Sequence, residues 1–437
     1  MKSLTDSIIT RLEAELGAGA VDTAREVLEA HAVDGVRPQV VARPADAEQV
    51  AAVVRICADA DAAVAPWGGG TSMALGNVPR RLDVVLRTDR LASLGEHDDA
   101  NLTATVQAGM TSERLQSLLA RRGQFLAIDP PHPARATIGG IVAANTNGPR
   151  RMQYGSVRDL VIGMKMVLPG GEQIKAGGKV VKNVAGYDMC KLFIGSLGTL
   201  GIITEVTFKM APLPERAATI AVNAQPSDAF RIVSELFAST LQPSAIAIIN
   251  QWAAQSARLE GPAGGLAVAV EGFREAVDRH MRDISAMAGR IRLSARVLEG
   301  KAHEALWTAV RDFPSPSNGH ALFRLTVPLG SVGAAADALS RGKAGASTES
   351  GAWIAHAGSG TLWLRVPASA VRETFAKLVA LANEHRGHAV LAASQPSIKR
   401  DLDVWGPPPP SLGIMREIKQ RFDPQGLFNP GRFVAFL

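Results

Sequence analysis

The stretch Pro66-Trp67-Gly68-Gly69-Gly70-Thr71-Ser72-Met73 decides how the N-terminal half of this chain is interpreted. Three adjacent glycines allow backbone angles that other residues avoid, and without Cβ atoms a diphosphate can approach the amide N–H groups closely. Thr71 and Ser72 add hydroxyl donors. A flexible turn after a strand is the alternative, because the pattern is neither GxGxxG nor a P-loop. By itself the stretch predicts only a loop that tolerates phosphate.

A second glycine-rich segment, DPPHPARATIGGIVAANTNGPRRMQYGS, runs from residue 129 to residue 156. Two such loops in one domain indicate a long ligand that is held at two points. A third cluster, GSLGTLGIIT at residues 195–204, spaces its glycines three apart before a predicted strand. Ligand contact and close packing of a helix against a strand both remain open for this cluster.

Polar residues between and beside these clusters are the first candidates for chemistry. Lys182 and Tyr187 could face a bound cofactor or a carboxylate substrate, although a buried Tyr187 hydroxyl bonded to backbone is favoured. His132, between prolines, is interpreted as a loop histidine rather than a base. The arginines of the region could bind an anion, but solvated surface positions are commoner for them; these are Arg150, Arg151 and Arg158.

Composition excludes several classes of protein. The chain has 437 residues, 46% of them hydrophobic, and only two cysteines, so no CxxC metal or redox site exists. Basic residues are dispersed and aromatics make up 5%, which argues against nucleic-acid binding despite the net charge of +6. No run of about twenty apolar residues predicts a transmembrane segment. The first residues predict an amphipathic helix rather than a signal peptide.

The order of predicted elements divides the chain into four parts. Residues 1–33 form a helical segment, and residues 34–215 alternate short strands with helices and glycine turns. Ala211-Pro212-Leu213-Pro214 breaks that pattern. Residues 216–385 predict an α+β domain with an antiparallel sheet. Residues 386–437 carry a rigid proline run, a helix at about 411–422 and a turn-rich tail.

Several motifs in order resemble a known family: RPADAEQVAAVV, PWGGGTSM, PPHPARATIGGIVAANTNGPRR, YGSVRDLVIG, KNVAGYD and GSLGTLGIITEV. Together they resemble the FAD-binding domain of the PCMH type, as in vanillyl-alcohol-oxidase-like flavoproteins. The tail FDPQGLFNPGRF resembles the end of the associated FAD-linked oxidase C-terminal domain. The resemblance implies an α+β fold, with a two-subdomain FAD-binding domain followed by an α+β cap domain whose sheet is antiparallel. The tail is implied to pack back on the FAD domain.

The resemblance also implies which residues hold FAD. The first loop would contribute all its residues, the second loop would line the cofactor, and the third would approach the adenosine or ribityl portion. The implied cofactor-binding residues are Pro66, Trp67, Gly68, Gly69, Gly70, Thr71, Ser72, Met73, Pro131, Thr137, Gly139, Gly140, Ala143, Asn145, Gly148, Tyr154, Gly198, Gly201 and Ile203. Many relatives attach the flavin to a histidine of the first loop. That loop has no His or Cys here, so non-covalent FAD is implied.

One departure from the family pattern bears on catalysis. Where self-sufficient 2-hydroxy-acid dehydrogenases of the family carry the metal-binding motif HxGDGNxH, this chain has HAGSGTLW at residues 356–363. Ser359 replaces the acid, Thr361 the Asn and Trp363 the second His. His356 therefore remains only a weak catalytic candidate, together with Lys182 and Tyr187, and no metal is expected.

The resemblance implies an FAD-binding subunit of a glycolate-oxidase-like complex. Such a complex would oxidise a small 2-hydroxy acid, such as glycolate or D-lactate, to the 2-oxo acid. A second flavoprotein subunit and an iron–sulfur subunit are the implied partners, in the cytoplasm and attached to the inner membrane through those partners. Two alternatives stay open: a self-sufficient FAD-dependent 2-hydroxy-acid dehydrogenase, and a non-catalytic assembly subunit with an unoccupied flavin site.

Overall fold

The computed structural model describes residues 4–17, 19–178, 187–256, 264–343 and 351–437. The helices are α1 Leu4–Leu16, α2 Arg25–Ala30, α3 Ala47–Asp59, α4 Ser112–Ala120, α5 Ile138–Ala144, α6 Arg151–Tyr154, α7 Val157–Leu160, α8 Met189–Phe193, α9 Pro226–Phe237, α10 Gln251–Ser256, α11 Arg274–Arg290, α12 Gly300–Asp312, α13 Val332–Ser340, α14 Val371–Glu384, α15 Pro396–Lys399 and α16 Leu412–Phe422. Within these described ranges, no helix has the length and apolar character needed to span a membrane.

The strands are β1 Val21–Asp22, β2 Val40–Ala42, β3 Val64–Trp67, β4 Val84–Arg87, β5 Leu94–Asp98, β6 Thr103–Gln107, β7 Gln124–Phe125, β8 Val161–Val167, β9 Gln173–Gly177, β10 Ile202–Lys209, β11 Ala211–Pro212, β12 Arg216–Val222, β13 Ala245–Ile249, β14 Gly265–Gly272, β15 Ala295–Glu299, β16 His320–Thr326, β17 Ala352–His356, β18 Thr361–Pro367 and β19 His388–Ala393. The first half alternates short strands with helices and turns, as the sequence predicted. Helix α3, for example, begins after the N-cap Asp46, whose side chain accepts a hydrogen bond from Gln49 N–H.

Two small sheets build the first half of the chain. The first has the order β1-β2-β4-β3, with β2, β4 and β3 parallel, and buries Val40, Val64 and Val84 against α1 and α3. The second is antiparallel, with the order β5-β6-β10-β8-β9. Two sheets agree with the two subdomains that the resemblance implies, and the glycine loop leaves the end of β3, an outer strand of the first sheet.

The second half is built on one eight-stranded antiparallel sheet, as the sequence predicted. Its order is β15-β12-β14-β13-β17-β18-β16-β19. One face packs against α9, α11, α13 and α14 around a core that includes Phe323 and Trp353. Part of the other face packs against α12, and the rest faces the first half of the chain.

The boundaries of this second half differ from the prediction in two details. Ala211–Pro212, expected to break the pattern, forms β11, which pairs with β7 of the first half. Residues 388–393, assigned by sequence to the tail, form β19, an outer strand of the eight-stranded sheet. The tail does return to the first half: Val64 N–H donates to Leu427 O at 2.8 Å, and Asn429 N–H donates to Val64 O at 3.0 Å. The tail thereby extends the first sheet beside β3, the strand that leads into the glycine loop.

Candidate flavin and substrate site

The glycine loop forms one wall of a cleft of about 740 Å³. Described residues of all three glycine clusters and of the tail line it: Pro66–Met73, Thr88, Thr137, Gly139, Gly140, Ala143, Ala144, Leu197, Gly198, Gly201, Ile202, Ile203, Asn429 and Arg432. Fifteen of the nineteen residues expected to bind the cofactor are in this set. Segments that lie far apart in the sequence therefore converge on one cleft.

Gly68 and Gly69 of the cleft are packed where no side chain fits. A Cβ atom on Gly68 would lie 2.0 Å from Thr137 Oγ1, and one on Gly69 would lie 1.7 Å from Arg135 O. Gly70 has a φ of +72°, in the left-handed region. The loop is therefore held against the segment before α5, rather than being the flexible turn that was the alternative interpretation.

The third cluster combines both interpretations that the sequence left open. A Cβ atom on Gly201 would lie 2.8 Å from Phe193 Cε1 of α8, and one on Gly198 would lie 2.6 Å from Pro66 Cγ. Both residues also line the cleft. Close packing is thus what brings this cluster to the first glycine loop.

The chemistry of the cleft fits a dinucleotide such as FAD. The hydroxyl Oγ1 of Thr137 is buried and has no hydrogen-bond partner among the described residues, although it borders the glycine loop. An unsatisfied buried hydroxyl is costly unless a ligand bonds to it. Backbone amides without side chains, hydroxyls and apolar walls together suit a phosphate-linked aromatic cofactor.

A larger cavity of about 1210 Å³ adjoins the cleft and lies between the two halves of the chain. Thr71, Ser72 and Ala144 line both cavities. The second cavity is also lined by Ala74, Leu75, Pro130, Pro131, His132, Ala136, Ile141, Asn145, Thr146, Asn147, Arg151, Pro314, Ser315, Pro316, Leu322, Arg324, Thr326, Thr361, Trp363, Ala392 and Ala393. We call it the anion cavity, for the charges described next.

The lining of the anion cavity is positive. Arg151 comes from α6 and Arg324 from β16, and no Asp or Glu is among the described residues that line the cavity. Burial lowers the pKa of Arg324, and the nearby Arg151 lowers it further. The Arg324 guanidinium lies 6.0 Å from the centre of the Trp363 ring. Trp363 Nε1 is buried without a partner in the described part of the chain. These donors suit a carboxylate.

Antiparallel pairing explains why Arg324 and Trp363 meet. They are register partners on β16 and β18, so their side chains emerge on the same face of the sheet. Alternation along β16 buries Phe323 in the core on the other face. A single arginine within the apolar strand HALFRLT was a signal that sequence reasoning missed. Arg432 and Asn429 of the cleft were missed as well, although both lie in the motif FDPQGLFNPGRF.

Four expected cofactor residues do not line the cleft. Pro131 and Asn145 line the anion cavity instead. Asn145 ends α5 with a φ of +48°, which turns the chain away from the cleft. Gly148 then packs against Asp129, and Tyr154 packs edge-on against Phe125, with ring centres 5.4 Å apart. Gly148 and Tyr154 therefore lie outside the lining of the cleft, and their contact with the cofactor stays a prediction.

Of the three weak catalytic candidates, Tyr187 and His356 are among the described residues. Tyr187 is 96% exposed and lines neither cavity, so the favoured prediction of a buried hydroxyl was wrong. Lys182 lies outside the described residues. His356 is buried at the end of β17, where burial, together with the charge of Arg151, lowers its pKa to about 4. Its Nε2 atom has no partner among the described residues, and it does not line the anion cavity.

A metal site is not apparent in the described ranges. No group of three or more His, Cys, Asp or Glu side chains there could hold a metal ion. The strand that follows the 356–360 turn instead places Thr361 and Trp363 in the anion cavity. In this chain the substituted motif therefore contributes an uncharged wall.

Comparison with known families agrees with the geometry. A model described as FAD binding domain matches residues 38–177, and a model described as FAD linked oxidases, C-terminal domain, matches residues 213–433. The chain belongs to the FAD-linked oxidases. It is accordingly an FAD-dependent oxidoreductase with a PCMH-type fold, as the motif order predicted.

This FAD-linked oxidase is 29% identical over 425 residues to glycolate oxidase subunit GlcD of Bacillus subtilis, covering 91% of this chain and 89% of that protein. It is 36% identical over 185 residues to D-lactate dehydrogenase of Archaeoglobus fulgidus, covering 42% and 41% of the two chains. Among solved structures, p-cresol methylhydroxylase superposes with a TM-score of 0.77 at 18% identity, covering 99% of this chain and 97% of that one. That likeness shows the fold.

Proposed function

We propose that this FAD-linked oxidase takes part in the oxidation of a small 2-hydroxy acid, such as glycolate or D-lactate, to the 2-oxo acid. The observation that carries the proposal is the pair Arg151 and Arg324 in a cavity that shares a wall with the flavin cleft. The similarity to a glycolate oxidase subunit over 91% of this chain supports it. FAD, when bound, supplies a two-electron acceptor for the C–H bond of the substrate.

The side chains of the anion cavity would bind and orient the acid. Arg324 is desolvated, and no carboxylate among the described lining residues neutralises it, so a substrate carboxylate would satisfy it. Leu322, Trp363 and the Pro314–Pro316 segment would exclude water around that pair. Thr71 and Ser72 border both cavities, which places the substrate-binding side chains beside the cofactor loop.

His132 is our candidate for accepting the hydroxyl proton of the substrate. It is the one imidazole among the described residues that line the anion cavity. Its backbone N–H donates to Asp312 Oδ1 at 3.1 Å, which fixes the loop between the two halves of the chain. The sequence interpretation had treated His132 as a loop histidine, and the tertiary structure gives that loop a cavity to face.

We further propose that FAD is held non-covalently. None of the described residues that line the flavin cleft is a His, Cys or Tyr, the side chains that could bond to the flavin ring. The proposed contacts are the fifteen expected residues of the cleft together with Asn429 and Arg432. Denaturation should therefore release free FAD.

We propose that the chain works as one subunit of a larger complex, with a second flavoprotein subunit and an iron–sulfur subunit to carry electrons away. The substituted segment at residues 356–363 supports this arrangement, because it lacks the metal-binding side chains of self-sufficient relatives. A cytoplasmic assembly held at the inner membrane by those partners is part of the same proposal.

A visible spectrum tests the proposal. The purified chain should carry a flavin absorbance band that glycolate or D-lactate bleaches without air, because the chain holds both the anion cavity and the flavin cleft, whereas continued turnover should need the partner subunits. Continued turnover by the chain alone would favour a self-sufficient dehydrogenase. A colourless chain that takes up no added FAD would contradict both a catalytic subunit and a self-sufficient dehydrogenase, and would favour an assembly subunit.

A further inference from the structure

Three buried charges outside the catalytic chemistry meet behind the glycine loop. Lys399 Nζ of α15 donates to Asp34 Oδ2 at 2.5 Å, and Arg432 Nη1 of the tail lies 3.6 Å from the same oxygen. Their side chains are 0%, 7% and 3% exposed for Lys399, Asp34 and Arg432. Asp34 comes from the segment between α2 and β2, Lys399 from α15 and Arg432 from the tail. We call them the Asp34 cluster.

The two cations of the cluster also bind the backbone where the glycine loop ends. Lys399 Nζ donates to Ala74 O at 3.0 Å. Arg432 Nη2 donates to Met73 O at 2.9 Å and to Leu75 O at 2.5 Å. Three consecutive carbonyls are thus held by side chains from α15 and the tail. They follow directly after Thr71 and Ser72, which line the flavin cleft.

Stability alone is a poor explanation for this cluster. Desolvation of a buried ion pair costs about as much as its attraction returns, and apolar replacements are often neutral or stabilising. Burial lowers the pKa of Lys399 to about 8 even with Asp34 beside it, because desolvation of the ammonium group outweighs the attraction of that carboxylate. Two cations and one carboxylate also leave one formal positive charge next to a cleft suited to a diphosphate.

We propose that Lys399 and Arg432 couple FAD binding to the docking of α15 and the C-terminal tail, Lys399 as a positioning residue and Arg432 as a residue that also lines the cleft. With both docked, the carbonyls at residues 73–75 are fixed and the loop at residues 66–72 is held in its cofactor-binding shape. With either undocked, the loop end is released. Coupling between two binding events is reciprocal, so FAD must stabilise the docked tail by the same factor by which the docked tail favours FAD.

Lys399→Met tests one direction of the coupling. It keeps the length of the side chain and removes the charge and the donors to Asp34 and Ala74. FAD affinity, measured by quenching of flavin fluorescence as FAD is titrated into the FAD-stripped full chain, should fall roughly 5- to 150-fold. Arg216→Met is the matched control, because Arg216 pairs with Asp278 and Glu299 in the cap, away from the cleft. Its FAD affinity should stay at the wild-type value. Equal affinities for Lys399→Met and wild type would overturn the proposal.

The wild-type chain tests the other direction without any substitution. Hydrogen exchange at the Asn429 amide, which bonds to Val64 O, and at the Arg432 amide should slow when FAD is added. In Lys399→Met, the same saturating FAD should protect these amides less. Exchange in the wild-type tail that does not change on FAD binding would overturn the coupling, even if the substituted chain proved too unstable to purify.

Discussion

The flavin cleft and the anion cavity share a wall but are built in opposite ways. The cleft is made largely of backbone: its first wall is eight consecutive residues, of which Gly68 and Gly69 are packed where a Cβ atom would clash. The anion cavity is made of side chains that are far apart in the sequence, such as Arg151, Arg324 and Trp363. We therefore expect cofactor binding in the cleft to be weakened by added side-chain volume. Substrate binding in the anion cavity should be weakened by the removal of a charge.

Adding one methyl group to the cleft should have the largest effect. In Gly69→Ala the new Cβ would lie 1.7 Å from Arg135 O, so the loop must move and its amides lose their arrangement. We expect the purified variant to contain little or no flavin, measured as the ratio of flavin absorbance to protein absorbance. A normal flavin content would show that the cleft does not depend on backbone packing.

Removing one charge from the anion cavity should have the next largest effect. Arg324→Gln deletes a desolvated cation, and loss of a buried charge contact with a ligand costs on the order of 2–5 kcal/mol. We expect kcat/KM for a 2-hydroxy acid, measured with the complete complex, to fall roughly 30-fold or more at 1.4 kcal/mol per factor of ten, while flavin content stays normal. Arg372→Met, at an exposed cap position with its side chain 58% exposed, is the control. Equal losses in both variants would disprove a specific role for Arg324.

The third prediction concerns how the free energy of unfolding depends on pH through His356, a buried residue that lines neither cavity. Its pKa of about 4 in the folded chain lies below the ordinary value of 6.5, so between these pH values the unfolded chain binds more protons and stability rises with pH. The free energy of unfolding of the wild type should lose up to about 3 kcal/mol from this residue as pH falls from 6.5 to 4. His356→Leu should show a flatter pH dependence in denaturant titrations. An unchanged slope would mean that His356 is not held neutral by burial.

A glycine outside the cleft should give the smallest effect. Gly289 lies near the end of α11, and nothing lies within 4 Å of an added Cβ atom. Gly289→Ala should leave the flavin content unchanged and raise the free energy of unfolding by about 0.5 kcal/mol, because alanine restricts the unfolded chain. Loss of flavin in this variant would mean that glycine substitutions act through overall stability rather than through the cleft.

Much of the fold and of the cleft followed from local sequence. A glycine marks a place where the backbone needs unusual angles or a close approach, and such needs are set by residues nearby in the sequence. Fifteen of the expected cofactor residues line one cleft. After Asn145 a left-handed helix end turns the chain, and Gly148 and Tyr154 do not line the cleft. Tyr187 was expected to be buried because a tyrosine in an apolar stretch usually is, yet packing left it 96% exposed.

By itself, the sequence predicted that residues 66–73 form a loop that tolerates phosphate, since glycine freedom and hydroxyl donors are properties of neighbouring residues. It also determined which residues stand at 356–363, where Ser359, Thr361 and Trp363 depart from the metal-binding pattern. Only the tertiary structure decided that Arg324 faces the cavity and that Lys399 and Arg432 hold the end of the glycine loop. Those contacts join residues up to 359 positions apart, and they depend on strand register and on the return of the tail, which no local pattern specifies.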